Sequence, residues 1–373
     1  MVKRRRPPAQ DIGRILGGAM SPEDFIKLMN ATELNCDTFE RIPAEAAEDF
    51  VEVCERLGDE ALSYAEKQEA AGHIVTAGQY FFNASALYRL GDYAIRGITE
   101  EKYRIYDKLV KSFKNSRRLK KQDFCEAVEI PFEGKTMPGY LLIPGDAPAD
   151  IPVVICVAGA TGFKEENYLI PQAVYERGCA ALIFDGPGQG DALLTREMYL
   201  TADNYDRAVK AVIDFIRQDP RLGDRIGISG VSYGGYLATS AAAAYPEEIK
   251  ALICRGGCSQ TDQLTMHTFA GVERFYLHGF LQKYHTQDLE EAARISHDMN
   301  VEPHLPRIKC PVLVIHSEED AVIGTEGART IFERVSSTDK EYYEVPGNVH
   351  CGNNEALKTN SYAADWIVDK LAK

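Results

Sequence analysis

The chain has 373 residues, 45% of them hydrophobic and 26% charged. That is the balance of an ordinary globular protein, long enough for one large α/β domain with an appendage, and it excludes a disordered, collagen-like or coiled-coil chain. The 42 basic and 56 acidic residues leave a net charge of −14, which would repel a polyanion over most of the surface and argues against nucleic acid as the main partner.

At the N-terminus, Lys3-Arg4-Arg5-Arg6 beside Pro7-Pro8 reads as a flexible tail. The stretch from Ile12 to Met20 is too short and too rich in glycine for a signal peptide core. No run approaches the roughly 18 apolar residues that a membrane helix needs, so no membrane partner is expected. The nine cysteines are odd in number and scattered, several inside apolar runs such as Val154-Ile155-Cys156-Val157. They read as reduced thiols of a cytoplasmic protein. Cys254 and Cys258 have no histidine at finger spacing, and no HExxH motif occurs. Neither a metal nor a cofactor is expected.

Up to about residue 121 the pattern is helical throughout. Ser21-Pro22-Glu23-Asp24 offers a cap, a first-turn proline and acids that suit the helix dipole. From Pro43 to Ile95 apolar residues recur at helical spacing, including Phe50, Val53, Cys54, Leu57, Phe81, Ala84 and Tyr88. Gly58, Gly72 and Gly91 read as helix stops. A further amphipathic helix spans Glu100 to Leu119.

From residue 122 strands alternate with helices. Ala127–Phe132 and Met137–Ile143 flank the turn Glu133-Gly134-Lys135 as a hairpin. Short β-branched runs follow at Val153–Val157, Ala180–Phe184, Ile226–Ser229, Ala251–Cys254, Val312–Ile315 and Glu341–Val345. Helical patterns lie between them near 166–177, 203–218, 233–245 and 325–335, with a last one at 360–372. Buried strands alternating with helices predict a mainly parallel sheet covered on both faces. The interval 261–301 is long and helical in pattern, and reads as an insertion over the strand ends.

Chemistry concentrates at Gly230-Val231-Ser232-Tyr233-Gly234, a G-x-S-x-G between a strand and a helix. That context is the nucleophile elbow, where a serine projects from a sharp turn. A serine nucleophile needs a base, and the base an orienting carboxylate, arriving in the order Ser, acid, His. Asp320, after the strand 312–315, is the acid, with Glu318 and Glu319 as neighbouring candidates. His350, after the strand 341–345, is the base. The oxyanion hole is expected from the amide of Tyr233 and one amide of the loop after strand 153–157, with Ala160 the donor and Gly159 its neighbour. Asp185-Gly186-Pro187-Gly188-Gln189-Gly190 lacks the ending of a phosphate loop and reads as a structural turn.

Gly162-Phe163-Lys164-Glu165-Glu166-Asn167, Phe184 with the Asp185–Gly190 phrase, and the elbow through Gly235 resemble the family of 2,6-dihydroxypseudooxynicotine hydrolase-like enzymes. These are hydrolases that cleave a carbon–carbon bond beside a ketone, with esterase-like relatives. The resemblance covers most of residues 125–370 and extends more weakly from Ala77 through Tyr80 to Arg89. It implies an α/β-hydrolase fold (residues 122–373) with an N-terminal all-helical cap domain (residues 1–121), a homodimer, and the trio Ser232, Asp320 and His350. The family's extra catalytic carboxylate falls here near His267, with Asp262 five residues earlier, so these two are the candidate proton donors. The function expected is hydrolysis of a small β-diketone or aryl ketone through a serine. The alternative is a carboxylesterase or lactone hydrolase with the same triad.

Overall fold

The computed structural model describes residues 20–36, 38, 40–43, 45–120, 125–145, 149–160, 162–262 and 274–372. The chain folds as two compact units, Met1–Asp123 and Phe124–Lys373.

The first unit is helical. Helix α1 (Pro22–Thr32) starts where the Ser21 hydroxyl accepts from the Asp24 amide at 3.1 Å. A short antiparallel ribbon, β1 (Leu34–Asn35) and β2 (Glu40–Arg41), follows it. Next come α2 (Phe50–Ala70), capped by Asp49, α3 (Ile74–Ala94), and α4 (Glu100–Leu119), capped by Thr99. The α2 side chains Val53, Cys54, Leu57, Ala61 and Ala65 are buried at helical spacing. Two glycines do not act as the stops the sequence suggests. A methyl group on Gly58 would lie 2.5 Å from the Tyr88 ring, and one on Gly91 would lie 3.3 Å from Cys54 Cβ. Both are contact points at which α2 and α3 approach closely, and the gain in packing offsets the helix penalty of glycine. Gly72, at φ +79°, does separate α2 from α3.

The second unit opens with a hairpin of β3 (Cys125–Phe132) and β4 (Lys135–Leu142). Its turn residues Glu133 and Gly134 have φ of 46° and 77°, the positive pair that a two-residue hairpin requires. In chain order there follow β5 (Ile151–Val157), α5 (Leu169–Tyr175), β6 (Ala180–Phe184), the short helix α6 (Gly190–Leu194), α7 (Asn204–Gln218) and β7 (Leu222–Val231). Then come α8 (Tyr233–Ala244), β8 (Ile249–Arg255), α9 (Arg274–Lys283), α10 (Leu289–Asp298), β9 (Val312–Ser317), α11 (Thr325–Arg334), β10 (Lys340–Val345) and α12 (Ala356–Leu371). The eight strands form one sheet in the order β10-β9-β8-β7-β5-β6-β4-β3. It is parallel from β10 to β6 and antiparallel at the β4 and β3 edge. Helix α7 shows how the sheet is covered: Tyr205, Ala208, Val209, Val212, Ile213 and Ile216 make a buried stripe.

Two departures from the expected elements have local causes. Helix α12 begins four residues before 360, because a tight 3-10 turn over His350–Glu355 feeds straight into it. Helix α6 has no counterpart among the expected elements, since five residues are too few to show a period. The insertion is closed at its base. The Gln260 to Asn300 bridge, Thr261 N to Met299 O at 3.1 Å and Val301 N to Ser259 O at 3.0 Å pin its two ends together. Among the described helices none is long and apolar enough to cross a membrane.

Candidate active site

The strand order reverses between β5 and β7, and their carboxyl ends stand side by side, with Val157 opposite Gly230. Such a switch point leaves a crevice beyond the strand ends, where α/β folds build their sites. Arg255 pairs with Val231 on one side and Ile315 on the other, and Val345 pairs with Ser317. The loops bearing residues 159–160, 232, 320 and 350 therefore leave the sheet along one edge.

The turn from β7 into α8 is tight enough to dictate its glycines. A methyl group on Gly230 would sit 1.9 Å from Gly234 O, and one on Gly234 would sit 2.5 Å from the carbonyls of Val157 and Ala158. Ser232 takes φ 59° and ψ −128°, a conformation an L-residue adopts only when its surroundings impose it. Its amide is anchored on Arg255 O at 2.7 Å. The side chain is thereby held out of the turn.

Ser232 Oγ lies 2.7 Å from His350 Nε2, and His350 Nδ1 lies 2.9 Å from each oxygen of Asp320. Asp320 is buried and accepts from the imidazole, which places the ring proton on Nδ1 and leaves Nε2 to accept from the serine hydroxyl. Three amides also point at Asp320: Val322 at 2.9 Å, Ile323 at 3.0 Å and Cys351 at 3.1 Å. Burial alone would raise the Asp320 pKa. His350 and the Ile323 and Val322 amides outweigh it and hold the carboxyl below its ordinary value. For His350, burial opposes the charged ring, but neighbouring Cys351 and the Asp320 carboxylate raise its pKa. Glu318 and Glu319 are exposed. Their amides, not their side chains, tie the loop to Val345 O and Gly347 O.

The loop after β5 runs beside the elbow: a methyl group on Gly159 would lie 3.2 Å from Ser232 Cβ and 3.6 Å from its Oγ. Gly159 O accepts from Gly162 N at 3.2 Å. Because a peptide unit is planar, that bond also fixes the direction of the Ala160 amide. The Tyr233 amide opens helix α8 and has no acceptor four residues back in the helix. Two amides beside a hydroxyl whose proton can leave through an imidazole can serve acyl transfer at a carbonyl carbon.

Several residues support this arrangement without a catalytic motif that would give them a role from sequence. Gln189 donates to Ala158 O at 2.8 Å and accepts from the Tyr205 hydroxyl at 2.8 Å. Asp185 is fully buried and accepts from the Lys164 amide and ammonium, both at 2.8 Å. Glu165 lies 3.0 Å from the same ammonium and accepts from Tyr140 at 2.8 Å. The phrases 162–167 and 184–190 are thus the ionic footing of the Gly159–Ala160 loop. Arg255 is buried among neutral acceptors. Its Nε donates to Cys351 O at 2.8 Å and its guanidinium reaches Asn353 and Asn360. It links the serine turn to the histidine turn. His316, beneath Asp320, donates to Ile323 O at 3.0 Å. Each of these reads from sequence as an ordinary polar residue, because only the fold brings its partners together.

Of the candidate proton donors, His267 lies outside the described residues. Asp262 lies 3.3 Å from His297 Nδ1 and accepts from Gln260 at 3.0 Å. Cys254 and Cys258, like the other seven cysteines, are free thiols.

Known proteins resemble this chain in sequence and fold. The chain is 28% identical over 317 residues to 2,6-dihydropseudooxynicotine hydrolase of Paenarthrobacter nicotinovorans, covering 84% of this chain and 83% of that one. An alpha/beta hydrolase of Xenoacremonium sinensis is 30% identical over 252 residues, and the match spans 56% of its length. The match to a hydrolyase of Penicillium oxalicum spans 45% of that relative. A crystal structure of the 2,6-dihydroxy-pseudo-oxynicotine hydrolase superposes with a TM-score of 0.82 at 25% identity, covering 96% of this chain and 95% of that one. Est1E of Butyrivibrio proteoclasticus, at 21% identity and a TM-score of 0.54, shares the fold. The profile of the prolyl oligopeptidase family matches residues 169–373, more than half of the chain. The protein has the α/β-hydrolase fold and belongs to the prolyl oligopeptidase family.

Proposed function

We propose that this chain is a serine hydrolase that cleaves the carbon–carbon bond beside a ketone, in a β-diketone or an aryl ketone with a phenolic or enolic leaving carbon. The observation that carries the reading is the unbroken hydrogen-bond chain from Ser232 through His350 to Asp320. The choice of bond rests on the likeness, over 84% of the chain, to the nicotinovorans hydrolase.

In this reaction Ser232 Oγ attacks the ketone carbonyl while His350 Nε2 takes its proton. The carbonyl electrons move onto oxygen, which the Tyr233 and Ala160 amides hold. The intermediate collapses by breaking the carbon–carbon bond. The electron pair leaves with the carbon whose enol or phenol ring can delocalise it, and the proton that His350 took from Ser232 passes to that carbon, which returns the imidazole to its neutral form. Water, deprotonated by His350, then attacks the acyl-serine ester; His350 returns that proton to Ser232 Oγ as the acyl–oxygen bond breaks, and the carboxylic acid departs. The N-terminal helical unit serves as the cap of this enzyme, which works in the cytoplasm as a homodimer; its nine free thiols fit that compartment.

The test is turnover of aryl ketones, β-diketones and short p-nitrophenyl esters by the purified protein. The reading predicts a carboxylic acid and a protonated carbon fragment from at least one ketone. Hydrolysis of esters with every ketone untouched would replace it with a carboxylesterase.

A further inference from the structure

Lys283 ends helix α9 in the insertion and is 2% exposed. Among the described residues no carboxylate lies within ion-pair distance of it. The contrast is Lys164, equally buried, where Asp185 and Glu165 flank the ammonium. The Lys283 ammonium instead donates to the carbonyl of Ala160. It stands 4.6 Å from the centroid of the Tyr233 ring and 5.1 Å from that of Phe280. Ala160 and Tyr233 are the residues whose amides flank Ser232.

The surroundings are shaped to admit this side chain. Gly188, at φ +79°, lies against the lysine stem, and a methyl group there would come 2.6 Å from Lys283 Cγ. The lysine's own carbonyl accepts from Leu200 N at 2.8 Å. The Asp185–Gly190 turn therefore supports the Ala158–Ala160 segment through Gln189 and leaves room for Lys283 to hold it from the other end. The Gly159 carbonyl, in the plane of the Ala160 amide, is held by Gly162, and the Ala160 carbonyl is held by Lys283. The first hold orients the amide, and the second braces the residue that carries it.

We propose that Lys283 is the positioning residue of the oxyanion hole: seated on the Ala160 carbonyl with no acid beside it among the described residues, its ammonium braces the residue that carries the Ala160 amide and lends an uncompensated positive charge to the oxyanion. This rests on the serine-hydrolase reading above. Below about pH 7, where Lys283 keeps its proton, no neighbouring acid among the described residues neutralises this charge, as one does for an ion-paired lysine. The ring faces of Tyr233 and Phe280 favour the cation without cancelling it.

The experiment uses the full chain below about pH 7, where Lys283 keeps its proton, with p-nitrophenyl acetate and a fluorophosphonate probe. Lys283→Met keeps the volume and removes the charge; Lys283→Gln keeps a donor and removes the charge. The expected result for both is a kcat reduced about 10- to 100-fold with KM within about twofold, as for loss of an oxyanion-stabilising group. Fluorophosphonate labelling of Ser232 should slow by the same factor, while urea denaturation shows the fold retained. Either variant folded with kcat within about threefold of the parent overturns the proposal. So does a loss confined to KM. Ser232→Ala, run alongside, separates the two readings: if it stays active, the nucleophile assignment fails first and this proposal falls with it.

Discussion

Burying an ammonium group without a counter-ion has a cost that can be read against pH. Lysine ordinarily titrates at 10.5, and burial brings Lys283 down to about 7. At about 1.4 kcal/mol per pH unit, that gap corresponds to at most about 5 kcal/mol held against the folded state. The Ala160 carbonyl and the aromatic faces return part of it. Lys283→Met should therefore stabilise the protein by about 2–3 kcal/mol near pH 7. The sign follows from proton counting. Between about 7 and 10.5 the unfolded chain holds a proton that folded Lys283 has released, so wild-type stability gains from rising pH across that window. The advantage of Lys283→Met should be flat below about pH 7 and shrink steadily toward pH 10.5. The assay is urea denaturation of both proteins across that range. It can be followed by the fluorescence of Trp366, the chain's single tryptophan, buried in α12 of the second unit. A difference that does not change with pH, or a variant less stable at neutral pH, would refute the reasoning. Greater stability with lower kcat is the combination that a purely structural lysine would not give.

Further outcomes follow from the same geometry. Asp320→Asn should lower kcat by roughly 10³- to 10⁴-fold, since an amide favours the wrong imidazole tautomer, whereas Glu318→Gln and Glu319→Gln should stay within about twofold; steady-state kinetics on one ester compares them. Gly234→Ala should yield misfolded or insoluble protein, because its methyl group would fall 2.5 Å from two carbonyl oxygens; the soluble fraction and circular dichroism report it. Gly58→Ala should destabilise the helical unit by about 1–3 kcal/mol through its clash with the Tyr88 ring, seen as a lower melting temperature of the helical signal. Asp206, raised by burial to about 6 and paired with Ser240 at 2.9 Å, holds a proton between about 4 and 6 that the unfolded chain has lost. Stability should therefore fall as pH rises through that window, and Asp206→Asn should raise Tm at about pH 8 but not at about pH 4.

The strands were legible because a parallel sheet buried on both faces writes each strand as an apolar β-branched run, as at Val153–Val157 and Ala180–Phe184. Ser232, Asp320 and His350 were legible by a different route: each follows a strand, and in this topology strand order sets chain order. What did not show was everything defined by contact across the sequence. Lys283 is one charged residue in an amphipathic stretch until Ala160, 123 positions earlier, is found beneath it. Arg255 looks like a strand-end cation until it joins the serine and histidine turns. Gly58 and Gly91 misled because the sequence shows that a side chain is missing, not what occupies the space.

The central claim is that Ser232, driven by His350 and Asp320, forms the bond to substrate. Intact-protein and peptide mass spectrometry after treatment with a fluorophosphonate tests it most directly. The account predicts one adduct per chain, on the peptide carrying Ser232, none on Ser232→Ala, and a loss of turnover in that variant of about 10⁴-fold or more. An adduct on another residue, or Ser232→Ala labelled and active at the parent's rate, would contradict it.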